Sequence, residues 1–272
     1  MPARRIQLSR TGQAERAAWS LALAHAQLRR SADREAPECL RLFRSEPAIA
    51  FGPRDLLTPG LAAAGRAAHR AGYAAVRRLA GGRAAAFHGG TLGLAWSIPG
   101  PQARALVRER FEELAELLRG ALLSLGVDAR IGKVPGEYCP GPFSVNARDE
   151  RKLAGMGQKV IRGAAHLGAV LVVADAEALR TALAPVYAAL NLDWRPATLG
   201  SVEEEIGRVG LDEIERALLR AFASRHELHE VPASRTTLDL ARELERQHAV
   251  AVETTEAPKR PGAAPSGTRA AV

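Results

Sequence analysis

Cysteine, lysine and aromatic residues are scarce in this chain of 272 residues, and it has no long apolar run. The two cysteines lie in unrelated surroundings, which argues against a disulfide framework or a cysteine-rich metal site. The longest apolar run, 164–174, is far too short for a membrane helix. The first residues lack the apolar stretch of a signal peptide, so we expect a cytoplasmic protein in a reducing compartment.

The formal net charge of +8 raises the question of a nucleic-acid partner. Almost all of the basic residues are arginines scattered among alanines, and lysine occurs only at positions 133, 152, 159 and 259. No basic patch is interleaved with aromatic residues, which make up 4% of the chain. We therefore expect neither a nucleic acid nor a membrane as partner. A basic surface suits an acidic protein or an anionic substrate equally well.

Apolar periodicity and turn residues predict a mixture of helices and strands. Helices are predicted over 12–30, 58–71, 102–125, from the N-cap Asp175 to 190, over 201–224 and over 236–247. Strands are predicted over 39–43, 48–51, 74–79, 84–88 and 92–98, and strands dominate between 129 and 174. Because the two types do not alternate regularly, we predict an α+β fold with a mixed, largely antiparallel sheet flanked by helices.

The domain organisation follows from the composition along the chain. Residues 1–250 are expected to form a single domain, in which about 192–250 are a helical C-terminal extension. Residues 253–272 are rich in Pro, Ala, Gly, Thr and Ser and cannot bury enough apolar area to form a core, so we predict a disordered tail. No internal repeat is present.

Cys139 lies in the segment Gly136-Glu-Tyr-Cys-Pro-Gly-Pro142, which can continue neither a helix nor a central strand. A short strand over 143–146 and a polar turn over 148–151 follow, and Lys152 opens a strand that returns towards the cysteine. We expect this lysine to be exposed at the turn. A nearby ammonium stabilises a thiolate, which is a nucleophile suited to acyl transfer. The alternative is a buried structural cysteine, which is the more usual role of a free cysteine and our prediction for Cys39.

A glycine-rich segment between two predicted strands, Arg77 to Leu92, is the second candidate. The pair Gly81-Gly82 permits a tight turn whose exposed amides can hold an anion or a carbonyl oxygen. Arg77, Arg78 and Arg83 could add positive charge. The segment contains neither a P-loop nor a dinucleotide-binding pattern, and a plain β-turn with a solvated rim remains the alternative.

Two histidines are candidates for the site. His88 ends a predicted strand beside Gly89-Gly90, where its side chain could face a pocket. His166 lies in an apolar strand, where a satisfied core histidine is the more usual finding, and its role is left open. His226 and His229 have the spacing of a metal-binding pair, but nothing supplies a third ligand, so we predict no metal site.

Three motifs together resemble the lipoate and octanoate protein ligase and transferase superfamily. They are Arg77-Arg-x-x-Gly-Gly-Arg-Ala-x-x-x-His88, Glu137-Tyr-Cys-Pro-Gly141 and Lys152-Leu-Ala-Gly155-x-x-Gln158. The resemblance covers roughly residues 12–225. It implies the fold shared by biotin protein ligases and class II aminoacyl-tRNA synthetases.

The resemblance also implies roles for the candidate residues. The loop before the lysine is most similar to that of cysteine-dependent octanoyltransferases, so Cys139 would be the nucleophile and Lys152 would hold the acyl carbonyl. The residues implied to bind substrate are Arg77, Arg78, Gly81, Gly82, Arg83, His88 and Gly155. The implied donor is an octanoylated glycine cleavage H protein or acyl carrier protein, and the implied acceptors are lipoyl domains of 2-oxoacid dehydrogenases. No cofactor is implied.

Two other functions remain open at this point. ATP-dependent lipoate ligases, which use magnesium, carry a third glycine and a His-Asp pair at the end of the loop. This chain has Arg83 and His88-Gly89 in those places, which weakens but does not remove that alternative. The second alternative is a non-catalytic module that binds lipoyl domains or acyl carriers.

Overall fold

An eight-stranded sheet and a three-stranded sheet carry the fold in residues 3–251, the part of the chain that this computed structural model describes. The strands are β1 Arg5–Glu15, β2 Cys39–Ser45, β3 Ala48–Phe51, β4 Ala74–Arg77, β5 Ala85–Phe87, β6 Thr91–Pro99, β7 Ala129–Ile131, β8 Val145–Ala147, β9 Arg151–Ile161, β10 Ala164–Val172 and β11 Glu227–Glu230. The helices are α1 Ala17–Ala32, α2 Leu61–Arg70, α3 Val107–Leu123, α4 Ala176–Ala189, α5 Val202–Ile206, α6 Leu211–Ala223 and α7 Arg235–Leu244. Short 3₁₀ helices lie at Asp55–Leu57, Pro196–Thr198 and Glu245–His248.

The large sheet has the strand order β11-β1-β2-β6-β10-β9-β8-β7. Strand β1 pairs in parallel with β11 and with β2, whereas the pairs from β2 through to β7 are antiparallel. The predicted mixed, largely antiparallel sheet flanked by helices is therefore confirmed.

The two faces of the large sheet belong to different hydrophobic clusters, because side chains alternate along each strand. On β6, Leu94 and Trp96 pack in a cluster with α3 and α6. Ala95, which lies between them, packs instead in the cluster that contains part of α1, the small sheet, α2 and α4. The candidate residues lie on this second side.

The small sheet has the order β4-β3-β5, with β3 parallel to β4 and antiparallel to β5. Gly81-Gly82 does not form the predicted tight turn between paired strands, because β3 lies between β4 and β5. The connection over 78–84 has to pass the end of β3. It reaches the large sheet, where the Gly81 amide donates to the Gln158 carbonyl at 3.3 Å.

One further prediction of secondary structure is wrong, and one strand was not predicted. Residues 12–15, predicted to begin a helix, belong to β1, and α1 begins only at Ala17. Local composition favours a helix there, but pairing of Ala14 and Glu15 with Arg44 and Ser45 of β2 stabilises a strand. Strand β11 lies between the predicted helices 201–224 and 236–247, in a stretch to which no strand was assigned.

Other predictions have mixed outcomes. Asp175 is the N-cap of α4, since its carboxylate accepts a hydrogen bond from the Ala178 amide. The predicted disordered tail, 253–272, lies outside the described residues. Between residues 3 and 251, no helix is both long enough and apolar enough to cross a membrane.

Candidate active site

Cys139 lies in the loop between β7 and β8, with its backbone in the left-handed region at φ +41°. For a residue with a side chain this conformation costs roughly 1–3 kcal/mol and needs support from its surroundings. Two side chains supply it. The Cys139 amide donates to the Tyr187 hydroxyl at 2.9 Å, and the Lys152 ammonium donates to the Cys139 carbonyl at 2.7 Å.

Cys139 is partly exposed, and its sulfur receives two N–H donors from the glycine-rich loop. The Arg83 amide lies 3.2 Å and the Arg78 Nη2 atom 3.4 Å from Sγ. Arg78 Nη2 also donates to the Arg83 carbonyl, so the guanidinium and the loop hold each other. Two N–H donors and a positive charge at the sulfur suit a thiolate, the nucleophilic form of cysteine.

Lys152 is buried, with 1% of its surface exposed, so the expectation of an exposed lysine is wrong. Its ammonium donates to the carbonyl oxygens of Tyr138 and Cys139 and lies 4.7 Å from the centre of the Tyr138 ring. Burial lowers the pKa of Lys152, while the negative charges of Cys139 and Glu137 act in the opposite direction. The strand does return Lys152 to the cysteine loop, but the ammonium bonds to the main chain of that loop.

Glu137 is the counter-charge within this loop, and sequence reasoning gave it no role. Its side chain is fully buried, and Oε1 lies 3.7 Å from the Lys152 ammonium. Oε1 accepts hydrogen bonds from the Gly141 amide and the Ser144 hydroxyl, each at 2.9 Å, and Oε2 accepts one from the Val134 amide at 3.3 Å. The feature of the sequence that could have identified Glu137 is a carboxylate close to the cysteine. It lies in a segment whose irregular backbone leaves amide groups that need hydrogen-bond acceptors.

The backbone at Gly82 has to approach the cysteine closely, and only glycine allows it. Its φ is +102°, and a Cβ at this position would lie 2.8 Å from Cys139 Sγ and 2.6 Å from Arg78 Nη2. On its other side, the Gly82 carbonyl oxygen would lie 1.9 Å from a Cβ at Gly52. The two glycines therefore allow the loop to pack between the small sheet and the thiol.

Asp55, which sequence reasoning also missed, holds the glycine-rich loop through Arg83. It is completely buried. Its Oδ2 accepts a hydrogen bond from the Gly52 amide at 2.9 Å, and its Oδ1 lies 3.3 Å from Arg83 Nη1. The carboxylate thus holds both the strand end and the arginine whose amide contacts the sulfur.

Two of the predicted substrate-binding residues do not meet the others at the thiol. Arg77 is exposed, and its carbonyl accepts a hydrogen bond from His248 Nδ1 at 2.8 Å. His88 is buried, with Nδ1 accepting from the Gly90 amide at 2.8 Å and Nε2 lying 3.0 Å from the Asp175 carbonyl. Both ring nitrogens of His88 thus bond to main-chain atoms that shape the β5–β6 turn and the start of α4.

An apolar cavity, here called the inner cavity, extends from the thiol beneath α1. Cys139, Lys152 and Gly155 line it at one end, where a Cβ on Gly155 would lie 3.0 Å from Lys152 Cε. Arg78 and His166 also line it, and most of the remaining lining is small or hydrophobic and includes Phe43, Phe87, Ala95, Met156, Gly168 and Val170.

A second cavity, the outer groove, lies on the other side of the cysteine. Its lining includes Gly81, Gly82, Pro140, Phe143 and Gln158, and the rings of Phe111 and Phe143 stack along it 5.3 Å apart. Cys139, Lys152 and Met156 line both cavities. The sulfur therefore lies where an apolar chamber meets a more open groove, which suits transfer of a group that has an apolar chain.

His166, left open by the sequence, lies in the wall of the inner cavity. Burial, together with the positive charges of His25 and His248, lowers its pKa to about 4, so its ring is neutral at pH 7. Cys39 lies on β2 away from the inner cavity, and burial raises the pKa of its thiol to about 11. These surroundings suit a structural cysteine.

Comparison with known proteins identifies the family. Residues 16–223 match the model of the lipoyl protein ligase A/B catalytic domain. The chain belongs to this family.

Curated relatives within the family include two proteins named octanoyl-GcvH:protein N-octanoyltransferase. The one from Geobacillus kaustophilus is 26% identical over 196 residues, which are 68% of this chain and 69% of the relative. The one from Exiguobacterium sibiricum is 25% identical over 230 residues, which are 78% of this chain and 83% of the relative.

Solved structures of lipoate protein ligases have the same fold. One is lipoate-protein ligase A bound with ATP, at 21% identity and a TM-score of 0.66, with 91% of this chain and 95% of that chain covered. Another is a bi-partite lipoate protein ligase from Thermoplasma acidophilum, described with its E2 lipoyl domain. It has 20% identity and a TM-score of 0.66 and covers 91% of this chain and 93% of that chain.

Proposed function

We propose that this protein transfers an octanoyl group from a carrier protein to a lysine of a lipoyl domain, through a thioester on Cys139. The observation that carries the proposal is the position of the Cys139 sulfur, which meets two N–H donors at the junction of the inner cavity and the outer groove. The names of the curated relatives support an octanoyl group and a GcvH donor.

The reaction has two steps of acyl transfer. In the first, the sulfur attacks the carbonyl carbon of the octanoyl-lysine amide on the donor. The carbon–sulfur bond forms, the carbon–nitrogen bond breaks, and the thiol proton leaves with the donor's lysine amine. In the second, the acceptor's lysine amine attacks the thioester, a new amide forms, and the proton returns to the sulfur. The net change is the exchange of one lysine for another, so neither ATP nor a metal ion is consumed.

The side chains around the thiol have distinct roles in this scheme. The Arg83 amide and the Arg78 guanidinium hold the thiolate. An ammonium has three donors, and Lys152 directs two of them at the carbonyls of Tyr138 and Cys139. The third donor would bond to the oxygen of the acyl group, where negative charge develops as the sulfur attacks.

The two cavities separate the apolar part of the substrate from the proteins that carry it. The inner cavity holds the eight-carbon chain, and each buried methylene contributes about 0.8 kcal/mol to binding. The outer groove admits the lysine of the donor or the acceptor. The net charge of +8 favours acidic partners, such as the glycine cleavage H protein, an acyl carrier protein or the lipoyl domain of a 2-oxoacid dehydrogenase.

Intact-mass spectrometry tests the proposal directly. The protein is incubated with octanoylated GcvH in the absence of ATP, and we expect a mass increase of one octanoyl group that neutral hydroxylamine removes, as it does with thioesters. Cys139→Ala should abolish both this adduct and the transfer of octanoyl to a lipoyl domain. Cys39→Ala is the matched control and should retain both.

Two other outcomes would replace the proposal. If octanoate or lipoate is transferred only with ATP and magnesium, and the transfer survives Cys139→Ala, the protein is an ATP-dependent ligase. If the protein binds octanoylated carriers or lipoyl domains but neither forms an adduct nor transfers the group under any of these conditions, it is a binding module.

A further inference from the structure

A row of facing residues crosses four neighbouring strands of the large sheet beneath α1. Gly157 on β9 is opposite Gly168 on β10, Gly168 is opposite Ala95 on β6, and Ala95 is opposite Arg41 on β2. Residues directly opposite each other point to the same face of a sheet. The row therefore begins with two glycines, continues with an alanine and ends on an arginine.

The two ends of the inner cavity can be identified from what lies beyond them. At one end it shares Cys139, Lys152 and Met156 with the outer groove. Elsewhere it shares Ala24 and Ala95 with a third cavity between α1, β2, β6 and the start of α7, here called the rear cavity. Among the described residues, none lines both the outer groove and the rear cavity. The thiol and the two alanines therefore mark opposite ends.

A polar cluster lies directly behind the alanines. The Arg41 side chain is 8% exposed and forms an ion pair with Glu15, whose Oε2 also accepts a hydrogen bond from the Ser20 hydroxyl at 2.7 Å. The Arg41 guanidinium lies 4.8 Å from the centre of the Phe43 ring, and both Ser20 and Phe43 line the inner cavity. A hydrocarbon chain that reached this pair would press against buried charges without satisfying them, which is unfavourable.

The depth of the inner cavity matches the length of an octanoyl chain. Gly155 lies on β9 beside Lys152 and faces Gly93 on β6 across β10, and Ala95 lies two residues further along β6, so the Cα atoms of Gly155 and Ala95 are about 12 Å apart. Eight carbons joined by single bonds of about 1.5 Å span about 9 Å when extended. An extended chain whose first carbon lies beside Gly155 would thus end within van der Waals contact of Ala95.

We propose that Ala24 and Ala95, backed by the Arg41–Glu15 pair, set the length of acyl chain that this protein accepts. The inference rests on the proposed function, because it requires the acyl chain of the Cys139 thioester to lie in the inner cavity. A larger side chain at position 24 shortens the cavity. Glycine at position 95 opens the way past the alanines into the rear cavity, where apolar side chains that include Leu23, Ala36 and Val231 can contact a longer chain.

The experiment measures which acyl group forms the adduct on Cys139. GcvH samples that carry hexanoyl, octanoyl, decanoyl and dodecanoyl groups are mixed in equal amounts with the protein, and the adducts are quantified by intact mass. The unaltered protein should select octanoyl. Ala24→Leu should shift the hexanoyl-to-octanoyl ratio by about tenfold or more towards hexanoyl, and Ala95→Gly should shift selection towards decanoyl.

The control is Ala26→Leu, the same substitution on the same helix. Ala26 is completely buried, but it packs in a separate cluster with Ala241 and Leu244 and lines neither the inner nor the rear cavity. The Ala26→Leu variant should therefore retain octanoyl selection, although the added volume strains the packing of the helix as the leucine at position 24 does. Melting curves establish that each variant is folded.

The outcomes distinguish a failure of the chain-length inference from a failure of the proposed function. If the unaltered protein forms no adduct with any chain, the proposed function and the inference both fail. If it forms the octanoyl adduct but the variants at positions 24 and 95 keep its selectivity, or Ala26→Leu shifts it equally, only the inference is overturned. Should Ala24→Leu not fold, Ala95→Gly, which removes atoms instead of adding them, decides the question.

Discussion

The Tyr187 hydroxyl accepts a hydrogen bond from the Cys139 amide at 2.9 Å and donates one to the Ala84 carbonyl at 2.8 Å. It thereby joins the cysteine loop to the loop that carries Arg83. We expect Tyr187→Phe to lower the free energy of unfolding by about 1–3 kcal/mol, because both main-chain groups lose their partner in a buried site. It should also slow thioester formation. Urea denaturation and the mass assay measure the two effects.

Tyr73→Phe is the control for this substitution. Tyr73 is mostly buried in the same hydrophobic cluster but lines neither the inner cavity nor the outer groove. If Tyr187→Phe forms the thioester as fast as Tyr73→Phe does, the hydroxyl has no part in positioning Cys139.

The second prediction concerns the stability that the buried Lys152–Glu137 pair contributes. Lys152→Met should lower the free energy of unfolding by about 3–5 kcal/mol as well as abolishing transfer, because it leaves the Glu137 carboxylate buried without a cation. Combining Lys152→Met with Glu137→Gln should recover part of that stability but none of the activity. Equal stabilities of the single and the double variant in urea would show that the two charges do not interact.

Gly82 should not tolerate any side chain. Gly82→Ala places a Cβ 2.8 Å from Cys139 Sγ, at a φ of +102° that strains alanine, so we expect loss of thioester formation. Gly81→Ala is the neighbouring control, since the nearest atom to its Cβ would be the Gln158 carbonyl oxygen at 4.0 Å. The rate of adduct formation should fall much further in Gly82→Ala. Similar rates in the two variants would contradict the close approach.

The two cysteines should differ in their reactivity towards iodoacetamide. Burial raises the pKa of Cys39 to about 11, so little of this thiol is ionised at pH 7, whereas Cys139 is partly exposed beside two N–H donors. We expect the folded protein to incorporate one label rapidly, at Cys139, as located by peptide mass mapping. Rapid labelling of Cys139→Ala at Cys39 would show that β2 opens more readily than its burial indicates.

His166 makes stability depend on pH on the acid side. Burial lowers its pKa from 6.5 to about 4, so the unfolded chain binds a proton more readily than the folded one. The stability associated with the neutral His166 ring is fully present above about pH 6.5. As the pH falls towards 4, the free energy of unfolding decreases by an amount on the order of 3 kcal/mol. Urea midpoints measured between pH 7.5 and 4 should therefore fall less steeply in His166→Asn. The pH dependence of the urea midpoint that remains in this variant includes the contribution of His25, whose pKa is also lowered to about 4.

The sequence predicted those parts of the fold and site that depend on local signals. Strand β3 has the predicted bounds, and the Pro/Gly segment around Cys139 is the predicted irregular loop, because proline and glycine restrict the backbone whatever surrounds them. The convergence of Arg78, Gly82 and Arg83 on the cysteine agrees with the grouping of the motifs.

The remaining features depend on partners that are distant in the chain. The burial of Lys152 results from the cysteine loop folding over it, with Glu137 as counter-charge, and nothing next to Lys152 in sequence indicates this. Asp55 and Tyr187 reach the site from a 3₁₀ helix and from α4. Strand β3 lies between β4 and β5 because of an order of pairing that periodicity along the chain does not encode.

Because of strand β11, the large sheet extends beyond the last residue that the family model matches. The family model ends at residue 223, yet the register pairs Arg5 with Glu227 and Leu8 with Glu230. During synthesis, the edge of β1 that pairs with β11 stays open until residues 227–230 have left the ribosome, long after β1 itself has been made. A fragment cut at the family boundary would keep the thiol and its loops but expose a bare strand edge, which invites pairing between molecules and aggregation.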